Sequence, residues 1–332
     1  MAKAKKLPSG NWRVQAKRNG ETKSFTAKSK KEAEYLATQW QLEKQPNISA
    51  EKITLDKAYD RYITAKSNVL SPSTIRNYKI LHKKHLQDIM SIEVDKLTME
   101  QIQKSINIYA ANHSPKSVAN CHGLLSAVLG MFRPSFILNT TLPQKEKKEV
   151  YVPSDDEVKK LLSVAKGTNY YIPILLAAFG GMREGEICAL TSNDIDGNFI
   201  TINKSMVCDE NGKWLLKVPK TFSSNRRVEM PDFVLKELKD IKGKLVRYTP
   251  HSLSIGFNKL LKKHGLKLFK FHALRHYYVS SLHALNIPDK YIMSQGGWAT
   301  NYTMQKVYNH AMKDKMSEFS TKITQHFETL SS

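Results

Sequence analysis

Residues His272 to His310 read HALRHYYVSSLHALNIPDKYIMSQGGWATNYTMQKVYNH. The stretch opens with His272, Arg275 and His276, passes through Gly296-Gly297-Trp298 and reaches Tyr308, followed by Asn309-His310. On a helix, positions three and four apart share a face. His272 and Arg275 can therefore present an imidazole and a guanidinium to one point. A planar guanidinium matches two phosphate oxygens, and an imidazole moves a proton near neutral pH. A phenol later in the chain can act as a nucleophile when cationic donors gather round it. Together these groups outline a phosphoryl-transfer site without metal ligands. His272 and His276 have the spacing of a zinc helix, but the glutamate of the H-E-x-x-H pattern is missing. A lone His-x-x-Arg on an amphipathic helix is ordinary surface, so its weight depends on a second arginine elsewhere.

That arginine is Arg183, in LLAAFGGMREGEICALTSNDID (175–196). A mostly apolar run of 13 residues, Tyr170 to Met182, leads straight into Arg183, Glu184 and Glu186. The run is too short to span a bilayer and reads as a core helix. By itself, an arginine at its polar end could simply pair with a nearby glutamate.

Arg183, His272-x-x-Arg275 and Tyr308 together resemble the tyrosine recombinase (phage integrase) family. Between them, VPKTFSSNRRVEMP (218–231) resembles the family's β-hairpin lysine segment, with Lys220 in the lysine position. Arg183, Glu186, Leu190 and Asp194-Ile195-Asp196 match the first arginine box. The likeness is strong over residues 150–332. Two departures stand out. The second box has Ala273 where the family usually has Asp, and Gly-Gly-Trp replaces the usual Leu-Gly-His before the tyrosine. An indole N–H is a donor, as imidazole's is, so the histidine's role passes to Trp298.

The resemblance implies the chemistry. Arg183 and Arg275, assisted by Trp298 and His272, would stabilise the charge that attack builds on the non-bridging phosphate oxygens. Tyr308 would attack phosphorus, leaving a 3′-phosphotyrosine and a free 5′-hydroxyl. Lys220 would protonate the leaving oxygen, and His272 would take the tyrosine's proton. No cofactor or metal is expected. There is no P-loop lysine-serine pattern, and Glu184, Glu186, Asp194 and Asp196 read as surface or structural pairs. The family also implies a homotetramer on double-stranded DNA with attachment core and arm sites, and an excisionase or host DNA-bending protein as accessory partner. A type IB topoisomerase-like nicking enzyme and an inactive DNA-binding protein are the alternatives.

Composition points the same way. The 332 residues carry a net charge of +22, which asks for a polyanion, nucleic acid first and an anionic membrane second. Neither a long apolar span nor a strongly amphipathic basic anchor is evident. Cys121, Cys188 and Cys208 are widely spaced and read as reduced thiols in a cytoplasmic protein, acting on DNA in a bacterial host cell. The lysines near the N-terminus precede no apolar signal core, so secretion is not expected.

The expected fold is multidomain and mainly α with small β-sheets. Residues 1–48 hold 11 Lys/Arg against 4 Asp/Glu. Alternation at Trp12, Val14 and Ala16, an Arg18-Asn19-Gly20 turn and a Ser29/Glu32 capping box predict two strands and a helix. This resembles an arm-type DNA-binding domain, with Arg13, Lys17, Arg18 and Lys23 as candidate contacts. Residues 53–140 read as an all-helical core-binding domain, with Ser71-Pro72 and Ser114-Pro115 as helix starts. Arg76, Lys79 and Lys116 are its candidate phosphate contacts. Residues 140–152 read as a basic linker, and 150–332 as a mixed α+β catalytic domain. Within it, strands are expected at 198–202, 214–218 and from Arg226. Helices are expected at 231–245, 252–264 and after Tyr308.

Overall fold

Alternation of small apolar and polar residues over Trp12–Arg18 makes a strand with one face to cover. In the computed structural model that strand, β2, sits between β1 (Lys5–Lys6) and β3 (Glu21–Ala27) in an antiparallel sheet. Residues 4–18, 21–42, 52–145, 150–218 and 225–298, with positions 300 and 324, are described. The ladder pairs Arg18 with Glu21; the turn residues between them, Asn19 and Gly20, lie outside the described residues. Helix α1 (Lys30–Leu42) covers the face carrying Val14 and Ala16, burying them with Ala33, Ala37 and Trp40. Ser29 Oγ accepts the Glu32 N–H at 3.2 Å, as the capping box predicts.

Four helices follow: α2 (Leu55–Lys66), α3 (Pro72–Lys84), α4 (Met99–Ala111) and α5 (Pro115–Phe132). Both expected Ser-Pro starts are present. Ser114 Oγ accepts the Ser117 N–H, whereas the Ser71 hydroxyl turns to Ser73. Leu55, Tyr59, Leu81, Ile102, Ile106, Leu125 and Val128 form the shared core. The helical reading runs too far, since helix ends at Phe132. The next stretch is irregular chain laid on the core through Phe136, Leu138 and Leu142. Thr141 donates its N–H to Gln103, and Thr140 bonds His122. The first residues of the expected linker are thus tied to this core. The described residues up to 145 fall in one compact unit, and those from 150 in a second.

The second unit begins with α6 (Asp155–Ala165), started by a reciprocal Ser154/Glu157 capping box. The apolar run becomes α7 (Tyr171–Gly180), with Ile174, Leu175, Leu176, Ala177 and Ala178 buried almost completely. A four-residue helix, α8 (Glu184–Ile187), follows directly. Then come β4 (Ile195–Asp196), β5 (Phe199–Ile202), β6 (Ser205–Cys208), β7 (Trp214–Lys217) and β8 (Arg226–Glu229). Among the described residues β6 and β7 pair with each other alone; β8 returns to β5 in the sheet β4-β5-β8. The Asn211-Gly212 turn is present, with Gly212 at φ +81° and Asp209 Oδ1 accepting from both Asn211 N and Lys213 N.

Helices α9 (Asp232–Leu238), α10 (Pro250–Lys263), α11 (Ala273–Ala284) and α12 (Asp289–Gly296) follow among the described residues. The helix expected over 231–245 stops at Leu238. Gly243 takes a left-handed turn, and Leu245 N–H goes to the Leu190 carbonyl. Pairing across the core overrides local helical preference there. Among the described residues no helix is long and apolar enough to cross a membrane. The expected helix after Tyr308 lies outside them.

Candidate active site

Helix α7 ends on Gly180-Gly181, with Gly181 in the left-handed region at φ +59°. A Cβ there would lie 2.4 Å from the Tyr278 ring, so glycine is required twice over. The sharp exit places Arg183 at the N-cap of α8. Glu186, in the first turn, accepts the Arg183 backbone N–H at 2.9 Å and its Nη1 at 2.7 Å. The pairing expected of an arginine in this place is therefore real. It also aims the side chain, which keeps about a third of its surface open (36%).

Arg275 lies in the first turn of α11 and is only 1% exposed. Its Nη1 donates to the Gly181 carbonyl and its Nη2 to the Gly296 carbonyl at 2.7 Å. Both carbonyls sit at helix C-terminal ends, where the partial charge is negative and suits a cation. Its other face meets the Trp298 ring, 3.6 Å from guanidinium carbon to ring centre. Burial pushes its pKa down, and Arg183 and Arg226 push the same way. A guanidinium nevertheless keeps its proton in a protein, so the site holds a fixed positive charge.

Trp298 itself is positioned by a close approach: a Cβ on Gly296 would stand 1.5 Å from the indole. Gly297 caps α12 at φ +66° and offers its carbonyl to Arg183 Nη2 at 2.8 Å. Histidine His272 is the N-cap of α11. Its side chain is exposed, but desolvation by the surrounding protein, then Arg275 and Arg183, push its pKa down towards about 4. The neighbouring His276 ring packs edge-on at 4.8 Å; burial, His272 and Arg275 hold it at about 4 too. Both imidazoles are neutral at pH 7, so His272 is free to accept a proton.

A third arginine belongs here that sequence reading missed. Arg226, on the buried side of β8, donates Nη1 and Nη2 to the two oxygens of Glu186 at 3.1 and 2.8 Å. Its Nε donates to the Gln295 carbonyl at 2.7 Å. Burial works to raise the Glu186 pKa, but Arg226 and Arg183 outweigh it and hold the carboxylate at about 2. Three successive carbonyls at the end of α12, those of Gln295, Gly296 and Gly297, thus each take a different arginine: 226, 275 and 183. The available signal was the pair Arg226-Arg227 in a strand, where alternation must bury one; Arg227 is the exposed one and pairs with Asp196.

With Glu186 consumed by these pairs, three guanidiniums and one carboxylate leave a net positive cluster that suits an anion. The other nearby acids are engaged elsewhere: Glu184 with Ser254, Asp194 with Lys204 and Thr191, and Asp196 with Arg227. Among the described residues no group of three or more His, Cys, Asp or Glu could hold a metal ion. Residues 152–315, which span this cluster, match the model of the phage integrase family. Those residues form a phage integrase family domain.

Relatives of the phage integrase family cover most of the chain. A "Tyrosine recombinase XerC-like" protein of Caldanaerobacter subterraneus subsp. tengcongensis is 22% identical over 357 aligned positions, covering 90% of each chain. The integrase of Staphylococcus phage L54a is 25% identical, covering 78% of this chain and 88% of its own. Among solved structures, a Tn1549 transposon integrase in complex with transposon right end DNA superposes with a TM-score of 0.67 at 17% identity, covering 79% of this chain and 98% of that one. A lambda integrase tetramer bound to a Holliday junction gives 0.60 at 18% identity, covering 93% and 95%. The multidomain, mainly α fold is the integrase fold.

Of the six expected catalytic residues, the fold brings together Arg183, His272, Arg275 and Trp298. Lys220 and Tyr308 lie outside the described residues. In the N-terminal sheet, Arg13 and Lys17 point to the face away from α1, where Arg13 Nη2 bonds Ser24 Oγ at 2.9 Å. Lys23 does not join them. It pairs with Ala16 on the helix side, and its Nζ lies 5.8 Å from the centre of the Phe25 ring. For Arg18 only the backbone is described. Arg76 and Lys79 share an exposed stripe of α3, and Lys116 is exposed in the first turn of α5.

Proposed function

We propose that this protein, a tyrosine-type site-specific recombinase, cleaves and rejoins DNA at a phosphodiester held by Arg183 and Arg275. The observation that carries the reading is their placement on adjacent carbonyls, Gly297 and Gly296, beside a neutral His272. Each brings a permanent charge and planar donors to one place, and no part of that charge must reorganise as the phosphorus is attacked. Tyr308 is the nucleophile, giving a 3′-phosphotyrosine. The two nearby arginines make His272 a weak base until the phosphate's negative charge offsets them; it then accepts the phenol proton. Trp298 supplies an indole N–H to the phosphate, and Lys220 protonates the departing 5′-oxygen. The phosphotyrosine keeps the energy of the broken bond, so strands exchange without ATP.

The substrate is double-stranded DNA carrying attachment core sites, in keeping with the DNA complexes of the Tn1549 and lambda integrases. Exchange between two duplexes needs four active sites, so a homotetramer on DNA is proposed; the lambda integrase structure is a tetramer on a Holliday junction. Integration or excision of a phage or mobile element would draw on an excisionase or a host DNA-bending protein. Three domains divide the work: 1–48 on arm sites, 53–140 on the core, and 150–332 for chemistry. Arg13, Lys17 and Arg18 serve arm DNA, with Lys23 on the opposite face as a flanking contact. Arg76, Lys79 and Lys116 bind core-site phosphates. A topoisomerase-like nicking role and an inactive DNA-binding role are not favoured, given relatives named integrase and tyrosine recombinase.

The test is trapping on a nicked suicide duplex bearing the element's own core, without metal or ATP. The expected result is a covalent protein–DNA band, absent in Tyr308→Phe while DNA binding persists. Retained cleavage in that variant would identify another nucleophile.

A further inference from the structure

We infer that Arg226 is a positioning residue for the phosphate-binding arginines, acting through Glu186 and the last turn of α12. The inference rests on the recombinase reading of the site and deepens it. Glu186 has two oxygens and four donors: Arg183 Nη1 and Arg226 Nη1 on Oε1, Arg183 N and Arg226 Nη2 on Oε2. Arg226 and Glu186 side chains are each only 4% exposed. Removing the guanidinium would leave a buried carboxylate facing Arg183 alone. That carboxylate would draw the Arg183 side chain in, away from any anion at the cluster. Arg226 therefore divides Glu186 between two cations and leaves Arg183 partly available.

Its Nε adds a second constraint. The bond to the Gln295 carbonyl fixes the residue immediately before the two carbonyls that hold Arg275 and Arg183. One side chain thus ties β8, α8 and the end of α12 together. Its guanidinium is engaged by both Glu186 oxygens and by the Gln295 carbonyl. An arginine in this place is also needed for its shape. Lysine would keep the charge on Glu186, but as a compact ammonium it cannot reach both carboxylate oxygens and the Gln295 carbonyl in one planar array.

The experiment uses the full chain and the nicked suicide duplex, with wild type as its control. Absence of a covalent adduct from wild type would sink the recombinase reading, independently of Arg226. Given that adduct, Arg226→Lys should lower the single-turnover cleavage rate at saturating DNA by about tenfold or more while DNA affinity stays within about threefold. Arg226→Met should be slower still, and adding Glu186→Gln should restore about tenfold of its rate, because the unpaired carboxylate is gone. A general loss of packing would not be relieved by a second core substitution. An unchanged rate in Arg226→Lys, a rate loss matched by lost affinity, or no recovery in the double variant would overturn the assignment.

Discussion

The arginines around Glu186 and the cations on the N-terminal sheet carry the same charge under opposite conditions. Arg275 is almost wholly enclosed and spends two of its five N–H donors on carbonyls at two helix ends. Arg13 and Lys17 stand on an open strand face, where Arg13 meets a serine hydroxyl. The first arrangement fixes a charge in place and makes it costly to move. The second supplies a field to a polyanion and tolerates local adjustment. One suits chemistry at a single phosphorus atom, the other a long backbone of phosphates.

The sharpest way to break this contrast is Arg275→Lys. Charge is kept, but an ammonium cannot span the Gly181 and Gly296 carbonyls as a guanidinium does, so single-turnover cleavage should fall about 100- to 1000-fold. Full activity in that variant, read on the suicide duplex, would mean that the latching is incidental. Next comes Gly181→Ala, which meets both a left-handed φ and the Tyr278 ring. Urea denaturation should show a loss of about 2–3 kcal/mol. Gly197→Ala shares the positive φ (+57°) but has nothing within 4 Å, so about 1 kcal/mol is expected there. Equal losses at the two sites would remove the packing part of the argument.

A smaller effect should appear with pH. Burial holds His276 at about 4, and desolvation with the nearby Arg275 and Arg183 pushes the exposed His272 the same way, below the ordinary histidine value near 6.5. Between these values the unfolded chain binds more protons than the native one, so native stability falls as pH drops from about 6.5 towards 4 and is flat in this respect above it. Titration of the His276 imidazole C–H resonance should give a midpoint near the lower value; a midpoint near 6.5 would contradict its enclosure. Smallest of all, Arg13→Ala or Lys17→Ala should leave cleavage at saturating DNA unchanged and reduce the salt slope of arm-DNA binding by about one each. A cleavage defect in either would blur the distinction between the two regions.

The same contrast shows what was legible from sequence. Arg183, His272 and Arg275 could be read because their spacing is local and their order along the chain resembles a known pattern. Val14, Ala16 and the Ser29/Glu32 box could be read because strand alternation and capping are short-range. Arg226 could not, since its meaning lies in Glu186, 40 residues away, and Gln295, 69 away. Arg275 was expected to present its guanidinium openly, yet tertiary packing encloses it under Trp298. The end of α9 was overestimated because Leu245 is claimed by the Leu190 carbonyl. Lys23 was grouped with Arg13 by composition, although register sends it to the other face.

The run of carbonyls from Gln295 to Gly297 acts as a ruler. Each guanidinium is pinned to its own peptide unit, and consecutive Cα atoms across trans peptides are about 3.8 Å apart. The three anchor points of these charges are therefore spaced by covalent geometry. Any shift of that short segment moves all three anchor points as a set.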